Sequence, residues 1–118
     1  MSEEEKILEK LDKIRDSNKL VLVEGEKDKK ALKKFDIINV KTLKGPIFKF
    51  VEEVSCINEE VIILMDLDKE GKKLYSQMRK GFEMKGVKMD DEFREFLFKE
   101  TKLRQIEGLD TYLKNCKS

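Results

Sequence analysis

The sequence predicts a three-layer α/β fold, with helices on both faces of a parallel sheet of about four strands. Two observations support this fold class. Short, wholly apolar runs alternate along the chain with longer amphipathic segments, which is the pattern of βαβ units whose strands are buried on both faces. The two clearest apolar runs, Leu20–Val23 and Val61–Met65, both end directly at acidic residues. Because open α/β sheets bind ligands at the carboxyl ends of their strands, the same pattern predicts where a site should lie.

Each element follows from hydrophobic periodicity or from a turn signal. An amphipathic helix is predicted over residues 3–16, because its apolar residues recur at helical spacing and Ser2 with Glu5 forms a capping box. The predicted strands are Leu20–Val23, Asn39–Leu43, Val61–Met65 and Val87–Met89. The predicted crossover helices are Lys27–Phe35, 46–54 and Gly71–Lys85, and helical segments follow around Phe93–Leu97 and Ile106–Leu113.

We expect the strand order 2-1-3-4, with right-handed crossovers and the change of winding direction between the first and third strands. A chain of 118 residues is long enough for one domain with a substantial core. Within that single domain we distinguish an N-terminal amphipathic helix (1–19), a core (20–90) and a C-terminal helical segment packed on the core (91–118).

Composition excludes several classes of function. The 26 basic residues nearly balance the 25 acidic ones, so no overall charge attracts nucleic acid or a membrane surface. The chain has no histidine, and its two cysteines, Cys56 and Cys116, form no CxxC motif, which argues against a zinc site and against histidine-dependent triads. Reduced cysteines, an acidic N-terminus and the lack of a long apolar run predict a cytoplasmic protein that does not enter a membrane.

Three carboxylates follow the two clearest strands. Glu24 follows the first, while Asp66 and Asp68 follow the third and point to the same side in an extended chain. If these strands are neighbours, the carboxylates converge, and without a cation they would repel one another. Magnesium prefers such oxygen ligands. We therefore expect Glu24, Asp66 and Asp68 to bind one or two Mg²⁺ ions, with Mn²⁺ as a possible substitute.

A carboxylate site of this kind suits phosphodiester chemistry, in which paired magnesium ions stabilise the attacking and leaving oxygens. Since the chain lacks histidine, Glu24 is the candidate proton carrier as well as a metal ligand. Three residues are expected to support the site or its backbone: Gly25, Asp28 and Gly71. For Asp28, a helix-capping role is favoured over direct contact with the site. The candidate phosphate contacts are Lys44, Lys69, Lys72 and Lys73, although such lysines are often simply solvated.

Two other classes of site share part of this acidic pattern. The run DLDKEG from Asp66 is similar to the start of an EF-hand loop, but the twelfth position of that loop requires Glu and is Gln77 here. Phosphatases with an aspartate nucleophile also carry a DxD pair, usually after the first strand and without an upstream Glu. The position after the third strand favours a metal site.

The motif EGEKD from Glu24, combined with DLDKEG from Asp66, resembles the Toprim domain. This Rossmann-like domain is shared by topoisomerases, bacterial primases, nucleases of the OLD type and a ribosomal RNA maturase. The resemblance spans about Leu20 to Met89, and the small size is similar to stand-alone Toprim proteins of archaea and bacteria. It implies that Glu24 is the acid–base residue and a magnesium ligand, that Asp66 and Asp68 bind magnesium, and that Asp28 ends the first motif.

Three functions remain open from the sequence. The first is a magnesium-dependent enzyme acting on nucleic-acid phosphodiesters, as a nuclease or in nucleotidyl or phosphoryl transfer, for example in RNA processing. The second is a non-catalytic module that binds metal and phosphate within a nucleic-acid assembly, with a protein partner or as a homo-oligomer. The third is a purely structural domain. Tyr75 and Tyr112 are expected to pack rather than to act as nucleophiles.

Overall fold

The computed structural model describes residues 2–116, so Met1 and residues 117–118 of the predicted terminal segments lie outside it. Its helices are α1 (Glu3–Ser17), α2 (Glu26–Lys33), α3 (Ile47–Ser55), α4 (Lys69–Lys85), α5 (Glu92–Glu100) and α6 (Leu109–Asn115). Its strands are β1 (Leu20–Val23), β2 (Val40–Thr42), β3 (Glu60–Ile63) and β4 (Lys88–Asp90), and a 3₁₀ turn (Ile106–Gly108) precedes α6.

The strands of the described chain form one parallel sheet in the order β2-β1-β3-β4, which confirms the predicted α/β fold and strand order. Strand β1 pairs with β3 so that Leu20 lies opposite Val61 and Leu22 opposite Ile63. This register brings the carboxyl ends of the two central strands side by side. The acidic residues after β1 and β3 therefore lie at the same edge of the sheet.

Alternating side chains of the central strands enter two separate apolar layers. Val21 and Val23 pack with α1, α2, α5 and α6 on one face of the sheet, whereas Leu22 packs with α3 and α4 on the other. The C-terminal segment contributes Leu109 and Leu113 to the first layer. Closing this layer places the segment next to the acidic edge of the sheet.

Several boundaries differ from the predicted ones, for local reasons. Strand β3 ends at Ile63, although Leu64 and Met65 remain buried, because its pairing with β1 extends to Ile63 and its pairing with β4 only to Ile62. Helix α4 begins at Lys69 rather than Gly71, because the Asp68 side chain accepts a hydrogen bond from the Gly71 amide and caps the helix earlier.

Candidate metal centre

Glu24 connects the two central strands at their carboxyl ends. It follows β1, and its Oε1 accepts a hydrogen bond from the backbone amide of Asp66 at 3.0 Å, although 42 positions separate the two residues. Burial raises the pKa of Glu24, and the negative charges of neighbouring carboxylates, that of Asp68 first, raise the pKa further, while the Asp66 amide lowers it. The carboxylate is thus fixed in position and partly withdrawn from water.

Asp66 is held from the opposite side by the C-terminal segment. Its Oδ1 accepts a hydrogen bond from the backbone amide of Ile106 at 2.9 Å, at the start of the 3₁₀ turn. Burial raises the pKa of Asp66 to about 7; the Ile106 amide opposes this rise, and the charges of Asp28 and Glu24 add to it. Glu24 and Asp28 therefore lie close enough to Asp66 for their negative charges to raise its pKa. For Glu24, the strand order predicts this proximity.

Asp68 and Gly71 form the start of α4 beside the same edge. Asp68 Oδ1 accepts a hydrogen bond from the Gly71 amide at 2.8 Å. A Cβ atom placed on Gly71 would lie 2.1 Å from the carbonyl oxygen of Asp66 and 2.8 Å from Glu24 Oε1. Only glycine leaves room for this close approach of the helix to the acidic loop.

Asp28 caps helix α2. Its side chain is buried, and Oδ2 accepts a hydrogen bond from the Gly25 amide at 3.1 Å, as the acidic member of a capping box. Burial raises the pKa of Asp28, and the charge of Glu107 raises it further, while the Gly25 amide lowers it. Asp28 therefore orders the backbone that carries Glu24, and its charge also reaches Asp66.

Arg94 was not among the predicted site residues, yet it supports the acidic loop by hydrogen bonds to its backbone. This buried side chain of α5 donates from Nε to the carbonyl oxygen of Met65 at 3.1 Å and from Nη2 to that of Asp66 at 3.4 Å. Its guanidinium also lies against the ring of Tyr75. A signal existed, because Arg94 falls on the apolar face of a helix between Phe93 and Leu97, where a charge needs partners.

The candidate phosphate contacts are the lysines at the start of α4 and after strand β2. All four lysines are exposed. Lys69, Lys72 and Lys73 lie in the first turns of α4, just after Asp68, and Lys44 follows β2. Lys72 Nζ lies 4.5 Å from the centre of the Phe98 ring.

Among residues 2–116, no three acidic or cysteine side chains are grouped as a ready-made metal cage. The chemistry of the donors nevertheless fits a hard divalent cation, since every candidate ligand is a carboxylate. The hydrogen bonds described above involve one oxygen each of Glu24, Asp66 and Asp68, so each carboxylate has a second oxygen to offer. Burial first, and then the negative charge of neighbouring carboxylates, raises the pKa of Glu24 and of Asp66, and a bound cation would oppose this rise.

A family model described as "Toprim domain" matches residues 19–96, which include all the acidic residues of the site. The chain belongs to the Toprim domain family. Membership of this family implies a metal-binding, nucleic-acid-related function in general, and Toprim domains generally bind Mg²⁺. Residues 97–116, which include Ile106 and its bond to Asp66, lie outside the matched range.

This Toprim chain is similar to small archaeal proteins. It is 31% identical to a UPF0292 protein of Methanocaldococcus jannaschii, over 92% of this chain and 91% of the relative. A UPF0292 protein of Methanosarcina barkeri is 28% identical, over 92% of this chain and 79% of that protein. Among solved structures, a putative protein from Aquifex aeolicus superposes with a TM-score of 0.77 at 35% identity, over 84% of this chain and 94% of that one. Within residues 2–116, no helix combines the length and apolar character needed to cross a bilayer.

Proposed function

We propose that this Toprim chain is a magnesium-dependent enzyme that acts on nucleic-acid phosphodiesters, by hydrolysis or by nucleotidyl or phosphoryl transfer. The observation that carries the proposal is the hydrogen bond from the Asp66 amide to Glu24 Oε1, which joins the acidic ends of β1 and β3 into one site. The free thiols of Cys56 and Cys116 support the prediction of a reducing, cytoplasmic setting.

In this proposal Glu24, Asp66 and Asp68 hold one or two Mg²⁺ ions, and Mn²⁺ can replace them. When bound, the metal stabilises negative charge on the oxygens of the phosphodiester. Glu24 Oε1 is occupied by the Asp66 amide, so Oε2 is the atom that either binds the metal or takes or delivers a proton at the attacking or leaving oxygen. Gly71 allows α4 to lie close to the acidic loop, while Asp28 and Arg94 hold the two loops in place.

The test compares the protein with its Glu24→Gln variant on labelled RNA and DNA, with and without Mg²⁺. Glutamine can still accept the Asp66 amide through its carbonyl oxygen, so the fold should survive while turnover falls about 10²–10⁴-fold. Glu53→Gln, an exposed substitution on α3, is the matched control and should retain full activity. If neither polymer is turned over in a magnesium-dependent way, the catalytic proposal is wrong.

A second candidate is a non-catalytic module that uses the site to hold a phosphate group in a nucleic-acid assembly, with a partner or as a homo-oligomer. The near balance of 26 basic and 25 acidic residues, which gives no overall attraction for a polynucleotide substrate, favours this alternative. It predicts Mg²⁺ binding by titration calorimetry that Asp66→Asn weakens, together with polynucleotide binding and no turnover. Turnover that depends on Glu24 would exclude it.

A further inference from the structure

A groove opens beside the candidate metal centre and is built from the C-terminal segment. Its volume is about 590 Å³, which lies within the range of small-ligand pockets and is large enough for roughly one or two nucleotides. Asp68 lines the end of the groove at the acidic edge of the sheet. The remaining wall includes Lys102, Arg104, Thr111, Tyr112 and Asn115.

Two hydrogen bonds donated by backbone amides join the segment that forms the groove to the acidic loop. The Leu67 amide donates to the carbonyl oxygen of Arg104 at 2.7 Å, and the Ile106 amide donates to Asp66 Oδ1 at 2.9 Å. These two bonds fix the segment that carries the groove against the loop that carries Asp66 and Asp68. A chain lying in the groove would therefore have a defined position relative to those carboxylates.

Positive charge collects at the groove, next to a strongly acidic site. Lys102 and Arg104 line the wall and are exposed. Arg104 and Lys72 lie 5.3 Å and 4.5 Å from the centre of the Phe98 ring, so Lys72, which does not itself line the groove, brings a further positive charge close to Arg104. Cations placed here compensate the repulsion that three carboxylates would exert on an incoming phosphate backbone.

An aromatic ring lies on the same wall as these cations. Tyr112 lines the groove and packs partly against the apolar core, and its hydroxyl donates a hydrogen bond to Glu3. The ring is thus held at both ends and exposes part of its surface to the groove. Cations next to a fixed aromatic surface are what proteins use to bind single strands, because bases stack on the ring while the cations contact phosphates.

We propose that this groove binds a single-stranded polynucleotide and leads it to the candidate metal centre. Lys102 and Arg104 contact phosphates, Tyr112 stacks against a base, and the strand continues past Asp68 to the carboxylates. The inference rests on the proposed function, since it supplies the substrate path for that site. It assigns the path to residues 102–115, outside the range matched by the Toprim family model.

The test measures the affinity of short fluorescein-labelled single strands, of RNA and of DNA, by fluorescence anisotropy in calcium buffer that supports no turnover. Lys102→Glu should weaken binding at least about tenfold and reduce its salt dependence, because a phosphate contact becomes a repulsion. The matched control, Lys80→Glu, makes the same change of net charge on the exposed side of α4 and should leave affinity unchanged. A duplex of the same sequence should bind more weakly than the single strand.

The ring is tested separately. Tyr112→Leu should weaken binding about tenfold, whereas Tyr112→Phe keeps the stacking surface and should bind like the unaltered protein. Melting temperatures confirm that each variant is folded, and Lys102→Gln serves as a milder substitution. If these variants lose more affinity for RNA than for DNA, or the reverse, the polymer with the larger loss is the one that the groove binds.

The outcomes separate this inference from the proposed function. If Lys102→Glu and Tyr112→Leu bind single strands as tightly as their controls, or if no single strand binds at all, the groove is not the substrate path, even if magnesium-dependent turnover is found. If both variants lose affinity while neither polymer is turned over in a magnesium-dependent way, the groove is confirmed and the catalytic proposal fails. Unchanged Mg²⁺ affinity of both variants in calorimetry shows that the metal site was left intact.

Discussion

The guanidinium carbon of Arg94 lies 4.0 Å from the centre of the Tyr75 ring, so a charge from α5 rests on an aromatic side chain of α4. The same guanidinium donates to the carbonyl oxygens of Met65 and Asp66. One buried side chain thus joins two helices to the loop that carries the candidate metal ligands. Tyr75 is itself held by a hydrogen bond from its hydroxyl to Asp91.

Replacing Arg94 by alanine should lower the free energy of unfolding by about 3 kcal/mol, because one buried and one partly buried carbonyl oxygen lose a charged donor. Arg94→Lys should recover only part of this loss, since lysine lacks the planar fork of donors. Urea unfolding provides the measurement. Arg79→Ala is the control: Arg79 also contacts Tyr75 but is exposed, and its loss should leave the midpoint unchanged. Equal effects at both positions would contradict a supporting role for Arg94.

Gly71→Ala should destabilise the protein by about 2 kcal/mol or more, because the new Cβ would overlap the carbonyl oxygen of Asp66 and crowd Glu24. It should also weaken Mg²⁺ binding, since both contacted residues carry the candidate site. The matched control is Gly25→Ala, where nothing lies within 4 Å and the backbone is extended. Thermal unfolding and calorimetry compare the two variants, and an alanine tolerated equally well at both positions would refute the close approach.

Asp28→Ala should cost about 1 kcal/mol of stability through loss of the capping box, while Asp28→Asn should retain most of it by accepting the same Gly25 amide. If Asp28 is mainly a cap, the asparagine variant should bind Mg²⁺ almost as well as the unaltered protein. A loss of Mg²⁺ affinity beyond about tenfold in Asp28→Asn, at unchanged stability, would instead make Asp28 part of the metal centre.

The metal-free protein should lose stability as pH rises from about 4 to about 7. Asp66 has a folded-state pKa of about 7 against an ordinary value of 3.8, so in this window the folded state binds more protons than the unfolded state. The raised pKa values of Glu24 and Asp28 act in the same direction. Melting temperatures across this range should fall with pH, and Asp66→Asn should flatten the profile. A rise of melting temperature with pH in metal-free buffer would contradict this origin of the shift.

Saturating Mg²⁺ should raise the melting temperature above neutral pH, because an ion that binds only the folded state stabilises it. The rise should be largest where Asp66 is ionised and should shrink towards acidic pH. Asp66→Asn and Asp68→Asn should each reduce it, and Glu53→Gln should not. A shift of equal size in all four proteins would point to a non-specific effect of the salt.

The sheet and its order could be predicted because they depend on local signals. Leu20–Val23 and Val61–Met65 are continuous apolar runs, and such runs separated by amphipathic segments allow few right-handed topologies. The edge at which Glu24 and Asp66 meet follows from the same order. The observed and predicted ends of an element differ where a single side chain determines the end. Asp68, for example, caps α4 so that the helix begins two residues before the predicted start.

The surroundings of the acidic residues could not be predicted, because they come from distant parts of the chain. Nothing near Asp66 in the sequence indicates that the Ile106 amide, 40 positions away, occupies one of its oxygens. The two-residue spacing of Asp66 and Asp68 predicts that both can face one cation, but it gives no sign that one oxygen of Asp66 is bonded to the 3₁₀ turn and one oxygen of Asp68 caps a helix. Backbone donors of this kind leave no compositional trace, since any residue except proline can supply them.

The hydrogen bond from Ile106 to Asp66 has a consequence for how the domain can be divided. Residues 19–96, the part that defines the family, contain every candidate ligand but neither of the backbone contacts made by residues 104 and 106. During synthesis the carboxylates emerge before the segment that holds Asp66, so the position of that side chain is complete only after the 3₁₀ turn has docked. A graft that moved the acidic motifs alone into another scaffold would transfer the charges without their geometry.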